Sequence, residues 1–125
     1  MLLGNATTIG PNLAAALRYA LPASVTLERL EGGSTYDSAA KTLAFFTPSG
    51  TVYVATGAAF ADGLAGGAWA ARQGSPVVMV PPTGALPASV RSALARLVPT
   101  TIVILGGPAA VSRAVENELA QFLPA

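Results

Sequence analysis

The chain contains no cysteine and no histidine. Disulfides, thiol nucleophiles, structural zinc sites and imidazole bases are therefore excluded within it. Charge is also sparse: charged residues make up 10% of the 125 positions, and the formal net charge is +1. A typical soluble domain carries roughly 25%, so part of this surface must be apolar or small. Such surface is expected to lie against copies or neighbours. The basic residues Arg18, Arg29, Lys41, Arg72, Arg91, Arg96 and Arg113 are scattered, which leaves no basic stripe for nucleic acid. No apolar run reaches the ~18 residues of a membrane span. Met1-Leu2-Leu3-Gly4 offers neither a charged n-region nor a long apolar h-region, so an export signal is expected outside this segment.

What is present is a repeat. Leu105-Gly106-Gly107-Pro108-Ala109-Ala110-Val111-Ser112 and the run to Leu123-Pro124-Ala125 echo Leu3-Gly4-Asn5-Ala6-Thr7-Thr8-Ile9-Gly10 and the run to Leu21-Pro22-Ala23. The offset is 102 at both ends (105 − 3 and 125 − 23). Val111 answers Ile9 and Val115 answers Leu13. A period of that size is a whole small domain, too long for a helical-hairpin solenoid. Residues 1–31 therefore read as the C-terminal part of a preceding repeat with a linking strand, and residues 32–125 as one repeat. This points to an attachment or assembly module rather than a self-contained enzyme.

A hydrophobic fraction of 52% is ample for one core. Short β-branched runs alternate with longer Ala/Leu-rich ones. Strands are predicted at 51–56, 76–80 and 101–105, the last two apolar enough to suggest burial on both faces. Residues 25–30 form a candidate edge strand, and Met1-Leu2-Leu3 a clipped fifth strand. Helices are predicted over 12–21, 36–46, 60–73, 87–97 and 112–123. Ser34 or Thr35 is a plausible N-cap for the second, Gly74 a stop for the third, and Ser112 an N-cap for the last. The alternation implies an α/β fold: an open, mostly parallel sheet with helices on both faces, three-layered and Rossmann- or Toprim-like.

Two of these strands run into Gly-containing turns that open a helix, at Thr56-Gly57-Ala58-Ala59-Phe60-Ala61-Asp62 and at Leu105-Gly106-Gly107. Ligands of open α/β sheets bind at such carboxyl ends, but glycine there also serves a tight turn alone. Neither turn fits G-x-G-x-x-G. Asp62 is a lone acid among apolar neighbours. It suits the helix dipole and equally a hydrogen bond to a sugar or to another repeat. Ser38-Ala39-Ala40-Lys41 has the Ser-x-x-Lys spacing of penicillin-binding enzymes, but no Ser-Asp-Asn or Lys-Thr-Gly accompanies it. Tyr36, Tyr53 and Trp69 could stack on sugars. Packing is the expectation for Trp69, and Tyr36 stays open.

These residues carry a resemblance. Arg29-Leu30-Glu31-Gly32-Gly33-Ser34-Thr35-Tyr36 resembles the R-L-x-G-x-x-R-Y opening of the cell-wall-binding repeat 2 family. Val52-Tyr53-Val54-Ala55-Thr56-Gly57 with Phe60-Ala61-Asp62-Gly63-Leu64-Ala65 resembles its V-x-V-A-T-G-x-x-F-A-D-A-L-A core. Leu86-Pro87, Ile102-Val103-Ile104-Leu105-Gly106-Gly107 and Ala110-Val111-Ser112 resemble its closing segment. Thr35 stands where the family usually has Arg, and Asn5 replaces the second Gly of Gly-Gly in the partial copy.

The resemblance implies non-covalent anchoring of an exported bacterial protein, at the cell wall or cell surface, to a cell-wall anionic glycopolymer. It also implies tandem copies, often three around a pseudo-threefold axis, and no catalysis or cofactor. An isolated segment is then expected to associate with other copies, for instance as a trimer. The expected ligand-binding residues are Arg29, Tyr36, Thr56, Phe60, Asp62 and Ser112, near the Gly turns. Two alternatives stay open: a structural assembly repeat without its own ligand, and a small α/β enzyme or phosphate-ligand domain.

Overall fold

The computed structural model describes every residue except Ser49 and Ala59, together with the backbone but not the side chain of Phe60. In chain order the elements are β1 (Leu2–Leu3), α1 (Pro11–Ala20), β2 (Arg29–Leu30), α2 (Thr35–Thr42) running into a 3₁₀ turn at Leu43–Phe45, β3 (Thr51–Thr56), α3 (Phe60–Arg72), β4 (Val77–Val80), α4 (Ala88–Leu97), β5 (Thr101–Ile104) and α5 (Arg113–Ala120). Every strand pairing among them is parallel. One sheet has the order β4-β3-β5, with Val54 opposite both Val78 and Ile104. β1 and β2 form a separate pair, with Leu2 opposite Arg29 and Leu3 opposite Leu30. The chain is thus α/β with open sheets and helices on both faces.

Alternation along the strands decides where the core lies. Val52, Val54, Val78 and Val80 are buried on one face, joined by Leu43, Val90, Leu94, Leu97, Val115 and Leu119 from the helices. Polar ties fix that helical layer. The Ser89 hydroxyl donates to Asp37 Oδ1 at 2.5 Å and links α4 to α2. Arg91 meets Glu118 at 2.6 Å, and the other oxygen of Glu118 accepts from Leu86 N at 2.9 Å. Arg96 donates to Phe46 O at 2.9 Å and also to Leu43 O.

The opposite face of the sheet is only partly closed. Tyr53 and Ala55 are buried where α3 crosses β3. Val77, Met79, Val103 and Leu105 are half-exposed. The expectation of burial on both faces therefore fails for β4 and β5, because α3 packs mainly on the central strand and, although its Gly66 lies against Leu105, covers the neighbouring strands only in part. Trp69 is also not a packing residue: it is 53% exposed on α3, and Leu64 of the same helix is 65% exposed. Tyr36, by contrast, packs against the core.

Two other expectations are corrected. The strand expected at 25–30 is reduced to Arg29–Leu30, because β1 offers only two residues to pair with. Ser112 stands at the N-cap position of α5, but its hydroxyl is buried with no bond and does not cap the helix. The other helix signals act as read. Ser34 Oγ accepts from Asp37 N at 3.1 Å, and Gly74 follows α3 with φ of +65°. No helix among the described residues is long and apolar enough to cross a membrane.

Candidate functional site

Parallel strands release their chains at one end, and two turns meet at the carboxyl ends of β1 and β2. The first begins at Gly4, whose φ of +126° favours glycine. Asn5 then folds it: Asn5 Oδ1 accepts from Thr7 N at 3.1 Å, from Thr8 N at 2.9 Å and from the Thr8 hydroxyl at 3.0 Å, the short-range bonding typical of Asn in turns. The second turn runs from Glu31 to Ser34. Gly32 has no space for a side chain, since a Cβ there would lie 2.4 Å from Asp37 Cβ and 2.8 Å from the Asp37 carbonyl carbon. Its N–H donates to Ser38 Oγ at 2.9 Å, and Lys41 donates to Glu31 O. Ser38 and Lys41 thus each hold this turn in place.

Between the turns lies a cleft of about 450 Å³, lined by Gly4, Asn5, Thr8, Gly33, Thr35 and Ser38 among others and flanked by Met79. Its lining mixes hydroxyls, an amide and main-chain groups with the apolar side chains of Leu3, Ala39 and Met79, and carries no charged side chain. The first N–H groups of α2 lack intrahelical acceptors, as at any helix start. Asp37, just behind the lining, has its carboxyl held below the usual aspartate range, first by the Ser89 hydroxyl and then by Ser34. The arrangement is chemically suited to a hydroxylated ligand.

Arg29 binds beneath this cleft. Its guanidinium donates to Gly4 O at 2.8 Å and Ile9 O at 2.7 Å, so it clamps the first turn onto β2. Thr56 ends β3, 2% exposed, with its Oγ1 accepting from Ala58 N at 3.3 Å. Asp62 is exposed in the first turn of α3, and its Oδ2 lies 3.2 Å from where a Cβ on Gly106 would sit. Ser112 N donates to Pro82 O at 2.9 Å. Thr56, Asp62 and Ser112 thus belong to the carboxyl end of the three-stranded sheet, whereas Arg29 belongs to the β1–β2 junction. Tyr36 opens α2 behind the cleft. The side chain of Phe60 lies outside the described residues.

Asn5, Thr8, Gly33 and Ser38 were not among the residues expected to bind. The signal that could have found Asn5 and Thr8 is the repeat itself, since the turn after Leu3 is the counterpart of the turn after Leu105 and follows a strand in the same way; Gly33 and Ser38 lie outside the repeated segments.

The family described as cell wall binding domain 2 (CWB2) matches residues 29–116, from β2 into α5. The chain belongs to the CWB2 family. Solved structures agree on the fold. Cwp8 from Clostridium difficile superposes with a TM-score of 0.78 at 22% identity, over 97% of this chain and 19% of that one. Cwp6 from Clostridium difficile superposes with a TM-score of 0.79 at 18% identity, over 98% of this chain and 19% of that one. The chain spans about one fifth of the length of these two structures. No curated protein matches it. Membership of CWB2 makes the chain a cell wall binding module.

Proposed function

We propose that this module attaches an exported bacterial protein to a wall glycopolymer, without catalysis, as one of several tandem or associated copies. The polymer lies in the cleft between the Gly4–Thr8 turn and the Glu31–Ser34 turn with the start of α2. The observation that carries this reading is the cleft's make-up: two glycine turns at strand carboxyl ends present hydroxyl and main-chain groups, beside the apolar Leu3, Ala39 and Met79, to one 450 Å³ space. Such a lining favours sugar hydroxyls and gives anionic groups only amide donors. Each site is then weak by itself, and arrayed copies supply the avidity. Thr35 lines the cleft where the resembling family usually has Arg, so this copy leans further towards neutral contacts.

Retention on purified bacterial wall tests the reading. Thr35→Arg adds a charged donor, and with hydrogen bonds to charged groups contributing ~1.5–3 kcal/mol, retention should rise about tenfold. Gly33→Leu adds bulk at the cleft wall, its Cβ 3.5 Å from Asp37 Oδ2 and without backbone strain, and should lower retention by a similar factor. Arg29→Ala should weaken binding by releasing the first turn. Unchanged retention in all three variants would refute this placement.

A second reading, an assembly repeat with no ligand, draws on α1. This helix has no buried residue, and Leu13 and Tyr19 are 53% and 95% exposed. It predicts association in sedimentation at ~100 μM with no retention on wall at all.

A further inference from the structure

The two ends of the chain repeat in structure as well as in sequence. α1 starts at Pro11 and α5 at Arg113, an offset of 102. Gly4 and Gly106 both have positive φ, +126° and +110°. The turns that follow are bonded alike. Thr8 N and Ile9 N donate to Asn5 O, while Ala110 N and Val111 N donate to Gly107 O. Ala14 N donates to Gly10 O as Glu116 N donates to Ser112 O. Each of these bonds recurs at the same offset. The β1–α1 unit is therefore a second β5–α5 unit.

The difference lies in what each strand pairs with. β5 uses one edge against β3, through Thr101 N to Gly50 O and Leu105 N to Val54 O, both 2.8 Å. Successive N–H groups of a strand point to opposite edges, so Ile104 and Gly106 direct theirs away from β3. β1 uses the counterparts of those two residues against β2: Leu2 N donates to Glu28 O at 2.6 Å and Gly4 N to Leu30 O at 2.9 Å. The parity matches. β5 can thus hold β3 on one side and a β2-type strand on the other, without conflict.

We propose that the free edge of β5 receives the β2 strand of a following copy of this repeat. Ile104 N–H then donates to Glu28 O of that copy, and Gly106 N–H to its Leu30 O. The following copy's Arg29 clamps the carbonyls of Gly106 and Val111, as Arg29 here clamps Gly4 and Ile9. The junction also rebuilds the cleft, because the Gly106–Ala110 turn takes the place of Gly4–Thr8 beside the incoming Glu31–Ser34 turn. The tail holds half a site, and the next copy completes it. The partner chosen is this repeat because β2 on β1 is the template for the contact. Strand addition at an open edge supplies main-chain bonds, and Arg29 supplies register. The pairing rests only on the tandem part of the reading above, so loss of wall retention leaves it standing.

Ala125 is the counterpart of Ala23, so residues 24–125 appended directly after Ala125 continue the period. Amide hydrogen exchange followed by NMR compares this fusion with the single chain. In the single chain the amides of Leu2 and Gly4 should be protected, and those of Ile104 and Gly106 should exchange fast. In the fusion the first unit's Ile104 and Gly106 should slow at least about tenfold, while those of the second unit stay fast. First-unit amides that exchange as in the single chain would overturn the proposal. So would a second unit whose Val52 and Val54 amides lack protection, because the 102-residue period would then not be a folding period. As an independent check, Leu105→Cys in the first unit should form a disulfide with Leu30→Cys in the second, matching a Leu3→Cys/Leu30→Cys control in the single chain. Failure of the fusion pair alone counts against the pairing.

Discussion

In α5 the side chains of Val115 and Leu119, with Val111 just before the helix, are covered completely by the core that Val90 and Leu94 share. At the same offset Ile9 and Leu17 are only half-covered and Leu13 is 53% exposed. The stripe is the same and the turn bonding is the same, yet only one copy finds a partner. The comparison shows that the same apolar stripe is buried only where a packed neighbour covers it. Here β2 pairs with β1 and holds its strand, while α1 has no buried residue.

The largest difference should appear in Leu119→Ala against Leu17→Ala. Truncating a fully buried leucine costs about 2–5 kcal/mol, whereas the half-covered Leu17 should cost under about 1 kcal/mol. Denaturant unfolding measures both, and equal losses would break the comparison. Gly106→Ala against Gly4→Ala sharpens it. Both impose a side chain at positive φ, at about 1–3 kcal/mol. At Gly106 the new Cβ also meets Ala110 Cβ at 2.8 Å, while at Gly4 its nearest contact is Thr8 Cβ at 3.6 Å, so Gly106→Ala should be the worse by about 1 kcal/mol. Arg29→Ala should act locally, since its donors hold Gly4 and Ile9. Exchange at Leu2 and Gly4 should speed up several-fold while Val52 and Val54 keep their protection.

The smallest effect is a pH dependence at the α2–α4 contact, which both ends of the chain lack. The carboxyl of Asp37 is held low mainly by Ser89. A folded value below the unfolded one contributes stability that is present above the unfolded value and lost as pH falls through the folded one. Ser89→Ala should raise the titration point of Asp37 by NMR and flatten the acid side of the stability profile.

Much of this was legible in the sequence. β-branched runs gave the three strands of the main sheet nearly to the residue, and Ser34 and Gly74 acted as helix signals. The repeat is visible in the sequence itself. The length of β2 was not, because alternation at Leu27, Glu28 and Leu30 says nothing of how short its partner is. Nor was the role of Arg29: its partners are carbonyls at Gly4 and Ile9, which no sequence pattern marks. The cleft was hidden for the same reason. Gly32-Gly33-Ser34 read as a helix start, and the wall facing it comes from residues more than twenty positions earlier.

The most direct test of the account is to titrate purified wall glycopolymer into the isotopically labelled chain and map the amide shifts. Binding at a completed junction predicts shifts concentrated at Gly4, Thr8, Gly33 and Thr35, with little change at Gly106 and Ser112, where the matching cleft lacks its second wall. Shifts centred on Gly106 and Ser112 instead, or spread evenly over both ends, would contradict it.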